Sequence, residues 1–146
     1  MTNFDIIGTL RTYAAAKGWL FLSGASWYQN WELSQTTLTT GKIILAVDFD
    51  ASPVIKNKKI LQIKYNGLMM LGEKTEATGT AVSSLDETFI QKYDARLLAL
   101  MTLLASTIGD VACTNELDID SLNFKVGLNR FDENADFAIA TVNFTH

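Results

Sequence analysis

Hydrophobic side chains recur along the chain at two different spacings, and each spacing predicts a type of element. Between Phe4 and Gly18, apolar residues return every three or four positions, which is the period of one helix face. Asn3 stands where a capping side chain is expected, and Gly18 ends the run with a residue that tolerates the left-handed conformation. The segment is predicted to be a helix that packs on a sheet through an apolar stripe of Phe4, Ile7, Leu10 and Ala14.

Alternating apolar positions predict strands in the first half of the chain. Residues 19–22 form a short apolar run typical of a strand, and residues 42–50 show an apolar face at period two. Pro53, the chain's one proline, is predicted to end this second strand. The apolar face consists of Ile43, Leu45, Val47 and Phe49.

A further strand region is predicted at residues 60–71, of which residues 60–66 are expected to pair with residues 42–50 as an antiparallel hairpin. The segment between them contains a basic turn at residues 56–59. Gly67 is interpreted as a bulge, and Lys64 is expected to lie across the hairpin from Asp48 or Asp50. The residues predicted to face inward are Leu61, Ile63 and Tyr65.

A long helix is predicted at residues 85–108. Ser84 and Glu87 form a capping box at its start, and Gly109 is expected to close it, which leaves Cys113 in a short linker. Its buried stripe is widened in the second half by Leu98, Met101 and Ile108, so the helix is covered either by the sheet and the first helix or by a neighbouring subunit. The stripe itself consists of Leu85, Phe89, Tyr93, Leu97, Leu100 and Leu104.

The last third of the chain is predicted to form two closing strands. Apolar positions alternate from Leu117 to Leu128 with a slip in phase at Ser121, which indicates a bulge or turn there. Residues 136–145 are apolar on both faces, so this strand is central or is covered by a partner. The fold class is therefore α+β: one domain over residues 1–146, a mainly antiparallel sheet with an N-terminal helix and one long helix packed on one face.

Composition narrows the classes of function. With 48% hydrophobic and 19% charged residues, the 146-residue chain is typical of a folded globule that needs no metal or disulfide for stability. The single histidine, His146, argues against histidine-based catalysis and histidine-rich metal sites, and the single Cys113 excludes an internal disulfide. A net charge of −4 argues against nucleic-acid binding through bulk electrostatics, and we expect no sequence-specific nucleic-acid partner. We expect no cofactor, no metal and no membrane partner, and a cytoplasmic location.

Two patterns that contain acidic residues are candidate metal sites. Asp48/Asp50 and Asp118/Asp120 are Asp-x-Asp pairs, whose carboxylates would converge on a divalent metal if their strands were neighbours. Asp50, Gln62 and Lys64 loosely resemble a degenerate metal-dependent nuclease site of the Asp…Gln-x-Lys type. The competing interpretations are solvated strand ends and a salt-bridged hairpin face.

Large aromatic side chains stand among polar residues between Gly24 and Gly41. Trp27, Tyr28 and Trp31 suit either a contact surface or a loop that folds back onto the core. Together with Met101, Phe137 and Phe144, these three residues are the predicted interface with other subunits or partners.

The order of elements resembles that of the tail-terminator and tail-completion (head–tail joining) proteins of double-stranded DNA phages. The comparison is prompted by the closing stretch 128–144, in which an Asn/Asp-rich turn precedes an apolar strand. This resemblance implies a non-enzymatic structural protein of the virion, assembled in the host cytoplasm. It would form a homo-oligomeric ring, for example a hexamer, that contacts tail-tube and neck proteins. The alternatives are the metal-dependent nuclease and a non-catalytic adaptor with a pocket between the long helix and the sheet.

Overall fold

A computed structural model describes residues 4–25, 42–74, 96–130 and 135–146. Within these ranges the chain forms two helices and a five-stranded sheet, which confirms the predicted α+β fold class. The strand order is β1-β2-β3-β5-β4, antiparallel throughout except for the parallel pair β1 and β2. The elements are α1 (Ile6–Lys17), β1 (Leu20–Ser23), β2 (Ile43–Lys56), β3 (Lys59–Lys74), α2 (Leu98–Thr114), β4 (Asp118–Arg130) and β5 (Ala135–Thr145).

The first helix is capped by Asp5. Its carboxylate accepts a hydrogen bond of 2.9 Å from the amide of Gly8, which corrects the prediction that Asn3 is the cap. Asn3 itself lies outside the described residues. The C-terminus is as predicted, because Gly18 adopts φ 74° and its amide donates to the carbonyl of Ala15.

The hairpin of β2 and β3 is longer than the sequence predicts. Pro53 does not end β2, which continues to Lys56. Proline is tolerated at this position because β1 pairs with β2 only over residues 44–47, so the described part of β2 is an edge at Pro53. The turn consists of Asn57 and Lys58, whose φ angles of 54° and 62° match the two-residue turn preferred by twisted hairpins.

The register of β3 corrects two expectations. Gly67 pairs regularly with Phe49, and the bulge lies instead at Val54/Ile55. Gly67 is required by close approach, since a Cβ there would collide with the backbone of Asp48 and Phe49. Leu61 is 55% exposed rather than inward-facing.

The cross-strand pair of Lys64 with Asp48 or Asp50 is also displaced. Lys64 lies opposite Ser52, and Asp50 lies opposite Asn66.

The second helix runs past its predicted end. Its described part continues through Gly109 to Thr114, because buried Val111 and Ala112 extend the apolar stripe by a further turn. That burial outweighs the cost of about 1 kcal/mol for a mid-helix glycine. Cys113 is therefore an exposed residue of the last turn and not part of a linker. The capping box and the stripe residues before residue 96 lie outside the described residues.

The closing strands agree with the sequence pattern. The pairing of β4 with β5 shifts register between Ile119 and Ser121, at the predicted slip. The last strand, β5, lies between β3 and β4, as its two apolar faces predict.

Both helices pack side by side on one face of the sheet, here called the helix face. Its core includes Leu10, Ala14, Leu104, Val111 and Phe144. A second buried cluster on the opposite, reverse face contains Leu22, Ile44, Ala46, Phe137 and Ile139. Neither helix of the described ranges is long and apolar enough to cross a membrane.

Candidate functional site

The residues predicted to contact partners occupy different environments. Trp27, Tyr28 and Trp31 lie outside the described residues. Phe137 and Phe144 are fully buried, and Met101 is partly buried against the helix-face core. The two phenylalanines therefore offer no surface to a partner, whereas the prediction for the other four residues stays a prediction.

The two Asp-x-Asp pairs do not converge. Their strands, β2 and β4, are separated by β3 and β5, which places them about 14 Å apart at the usual strand spacing. In addition, Asp120 accepts a hydrogen bond from the hydroxyl of Thr145. Among the described residues, no three Asp, Glu, His or Cys side chains are grouped so that they could hold a metal ion.

The Asp50, Gln62 and Lys64 set shares one face of the hairpin but is spread along it. Gln62 lies opposite Val54, four residues from Asp50. This separation is about 14 Å along the strand. The carboxylate and the amide are therefore too far apart to bind one ion directly, because ligand distances to hard cations are about 2.0–2.6 Å.

A projecting hairpin tip, residues 54–62, is called the arm. The last contacts that tie it to the sheet are made by His146, whose backbone exchanges hydrogen bonds of 2.9 and 3.1 Å with Ile63. Beyond this point, β2 and β3 pair only with each other within the described structure. Five residues of extended chain from Ile63 to Lys58 correspond to a reach of about 17 Å.

The arm has two chemically distinct parts. Its shank carries four exposed apolar side chains: Val54 at 37%, Ile55 at 63%, Ile60 at 48% and Leu61 at 55%. Its tip carries Lys56, Lys58 and Lys59, all exposed. A two-stranded hairpin is marginally stable in water by itself, and exposed apolar residues grouped on it are typical of a contact surface.

The start of α1 is fixed to the base of the arm. The Tyr65 hydroxyl donates to the carbonyl of Phe4 at 2.9 Å, and the Phe4 ring stacks on the ring of His146 with centroids 4.9 Å apart. Burial raises the pKa of Tyr65, and the charge of Asp5 raises it further. These contacts set the direction of the arm relative to α1.

An open groove of about 570 Å³ lies between α1 and the C-terminal turns of α2. Its α1 wall consists of Asp5, Gly8, Thr9, Thr12, Tyr13 and Ala16, and its α2 wall of Asp110, Val111, Thr114 and Asn115. Neither lysine nor arginine is among these described lining residues. The Tyr13 hydroxyl donates to Asp110 Oδ2 at 3.0 Å and connects the two walls.

The groove carries one carboxylate on each wall. Asp5 and Asp110 are exposed, and the C-terminus of α2 adds partial negative charge, with no basic residue in its last turn. Asp5 caps the N-terminus of α1, whose partial positive charge offsets part of its own, and the Lys17 ammonium lies 5.5 Å from the centroid of the Tyr13 ring. The pKa of Tyr13 is raised mainly by burial, with a further contribution from its hydrogen bond to Asp110 and from the charge of that residue. A cationic group is the complementary ligand for such a groove.

A buried ionic cluster lies at the other end of the helix face. Asp136 is fully buried, and its Oδ2 accepts hydrogen bonds from Arg96 Nε at 3.0 Å and Nη2 at 2.8 Å. Glu73 pairs with Asp136 in the strand register. Burial raises the pKa of Glu73. The positive charge of Arg96 acts in the opposite direction and lowers this pKa, and the negative charge of Asp136 raises it. The cluster connects the start of α2 to the central strands, so its role is structural.

No protein-family model matches the chain, and no curated protein matches it significantly.

Proposed function

We propose that this chain is a structural subunit that assembles with copies of itself into a ring, as the resemblance to phage tail-terminator and head–tail joining proteins implies. In this proposal the protein catalyses no reaction, belongs to a virion, and binds tail-tube and neck proteins above and below the ring. The observation that carries the proposal is the arm, whose apolar shank projects from the sheet with about half of its side-chain surface exposed.

The shank supplies part of the apolar surface that holds the subunits together. Completing the burial of a half-exposed isoleucine or leucine contributes about 1 kcal/mol, half of the value for a fully transferred side chain. Four such residues would contribute about 4 kcal/mol, to which edge-strand pairing adds. Within the described part of the sheet, β4 is the last strand and also exposes Ile119 and Phe124, and an edge of this kind is suited to pairing with another chain.

The test is sedimentation of the wild-type chain and of Ile55→Ser/Leu61→Ser over a wide range of concentration. The wild-type chain is expected to form a discrete oligomer. The double variant is expected to dissociate at roughly thirtyfold higher concentration, because two lost contacts of about 1 kcal/mol each weaken association by that factor. Leu98→Ser is the matched control, since Leu98 is 49% exposed on α2, away from the arm.

Circular dichroism of each variant establishes that it is folded. A wild-type chain that stays monomeric at every concentration would contradict the proposal. So would an oligomer that the arm variant and the control weaken equally.

A further inference from the structure

We propose that the groove between α1 and α2 receives the lysine-bearing arm tip of a neighbouring copy, so that subunits join head to tail. This inference rests on the proposed self-assembly and specifies which two surfaces meet.

The arm tip carries features that are unfavourable in an isolated chain. Lys56 lies directly opposite Lys59 in the hairpin register, and like charges in that position destabilise a strand pair. Lys58 adopts φ 62°, a conformation that glycine, asparagine and aspartate adopt more readily than lysine. Local features that conflict with the fold point to a function outside it. An acceptor with two carboxylates would reduce the repulsion among the three lysines.

The groove has the complementary properties. It presents Asp5 and Asp110 from two different helices, together with the hydroxyls of Thr9, Thr12 and Thr114 as further acceptors. Lysine has three donors and no acceptor, so the carboxylates and hydroxyls of the groove suit it. The groove is open to solvent, so a charged side chain can enter it from outside.

The arm cannot reach the groove of its own chain. The α1 end of the groove lies beside the arm base, where Phe4 contacts Tyr65 and His146. The tip projects about 17 Å away from that base on a regularly paired hairpin. The acceptor is therefore a second copy, and because tip and groove are different surfaces, the contact is heterologous and closes into a ring when the rotation per subunit permits.

The test exchanges the two charges. Lys58→Asp alone and Asp110→Lys alone are each expected to weaken assembly at least tenfold, because each places like charges in contact. Aspartate is tolerated at the positive φ of residue 58. The double variant Lys58→Asp/Asp110→Lys is expected to recover assembly in a ring of any size, because each tip then meets a groove of opposite charge. An equimolar mixture of the two single variants is expected to do the same in a ring with an even number of subunits. Rising salt is expected to weaken the wild-type contact.

Asp48→Lys and Lys64→Asp provide matched controls. Both residues are exposed on the reverse face of the sheet, and their substitutions make the same changes in net charge. They are expected to leave assembly unchanged, alone and mixed.

The outcomes separate this inference from the proposed function. If the wild-type chain assembles and Ile55→Ser/Leu61→Ser weakens it, but Lys58→Asp or Asp110→Lys has no effect, the groove is not the acceptor and the inference is wrong while the proposed function stands. Failure of the double variant Lys58→Asp/Asp110→Lys to recover assembly would overturn the inference in the same way. A groove that binds a different partner would leave both variants assembling like the wild type. A wild-type monomer contradicts the proposed function itself.

Discussion

Two glycine-to-alanine substitutions test the packing of the fold, because the same chemical change is expected to have opposite effects at two positions. Gly67 lies in β3 between β2 and β5. A Cβ at this position would collide with the Asp48 carbonyl oxygen and lie 2.8 Å from Phe49 Cα. Both atoms belong to the backbone of the neighbouring strand, so no side-chain rotation can relieve the contact, and the strands must separate.

The expected cost of Gly67→Ala is about 3 kcal/mol, the upper part of the usual range for overpacking. For a chain of this length, this corresponds to a decrease in Tm of about 6–12 °C. Gly109→Ala is the matched control, since Gly109 lies inside α2 and no atom approaches its ideal Cβ within 4 Å. It is expected to stabilise the protein by about 0.5–1 kcal/mol, the difference in helix propensity.

Urea unfolding followed by circular dichroism measures both effects. All variants are compared at one protein concentration, because self-association couples to folding. An unchanged m value with a shifted midpoint would show a change in stability alone. If Gly67→Ala unfolds within about 0.5 kcal/mol of the wild type, or Gly109→Ala is the less stable variant, the strand register and the extent of α2 described above are wrong.

Further predictions concern the helix cap, the buried ionic cluster and the arm tip. Asp5→Ala is expected to destabilise the protein by about 1 kcal/mol in urea unfolding, because it removes the acceptor for the Gly8 amide; Asp5→Asn, which keeps an oxygen there, should cost less. Folding raises the pKa of Glu73 above its unfolded value of 4.5. The protonated side chain therefore contributes fully to stability below pH 4.5, and this contribution to the free energy of unfolding is lost as the pH rises through the folded pKa. Glu73→Gln is therefore expected to raise the urea midpoint at pH 7 relative to the wild type, and equal midpoints would contradict the assignment. In the monomer, at protein concentrations below those of assembly, Lys58→Gly is expected to slow amide hydrogen exchange in the arm, since glycine relieves a positive φ that costs about 1 kcal/mol; faster exchange there would contradict the strain.

Much of the fold follows from hydrophobic periodicity. The inward face of β2, the slip at Ser121 and the central position of β5 were all predicted correctly, because period-two burial and apolar content on both faces are direct consequences of sheet geometry.

The errors occur where a local signal is outweighed by tertiary packing. Pro53 and Gly109 are breakers in isolation, yet Pro53 lies on an edge and Gly109 precedes a buried turn of α2. Gly67 was assigned to a bulge because sequence alone does not distinguish a bulge from a close strand approach.

The candidate site was only partly accessible from sequence. The basic turn at residues 56–59 was recognised, but its projection was not, because Pro53 was expected to end the strand that carries it. The groove depends on two helices meeting side by side, and its connecting hydrogen bond joins Tyr13 to Asp110, 97 residues away. Phe137 and Phe144 were predicted to contact a partner but lie in the core, because periodicity does not distinguish a core strand from one that binds a partner.

Native mass spectrometry of the wild-type chain tests self-assembly most directly. Assembly into a closed ring predicts one predominant species whose mass is a fixed multiple of the 16.1 kDa subunit. A single peak at the subunit mass, unchanged as concentration rises, would contradict it.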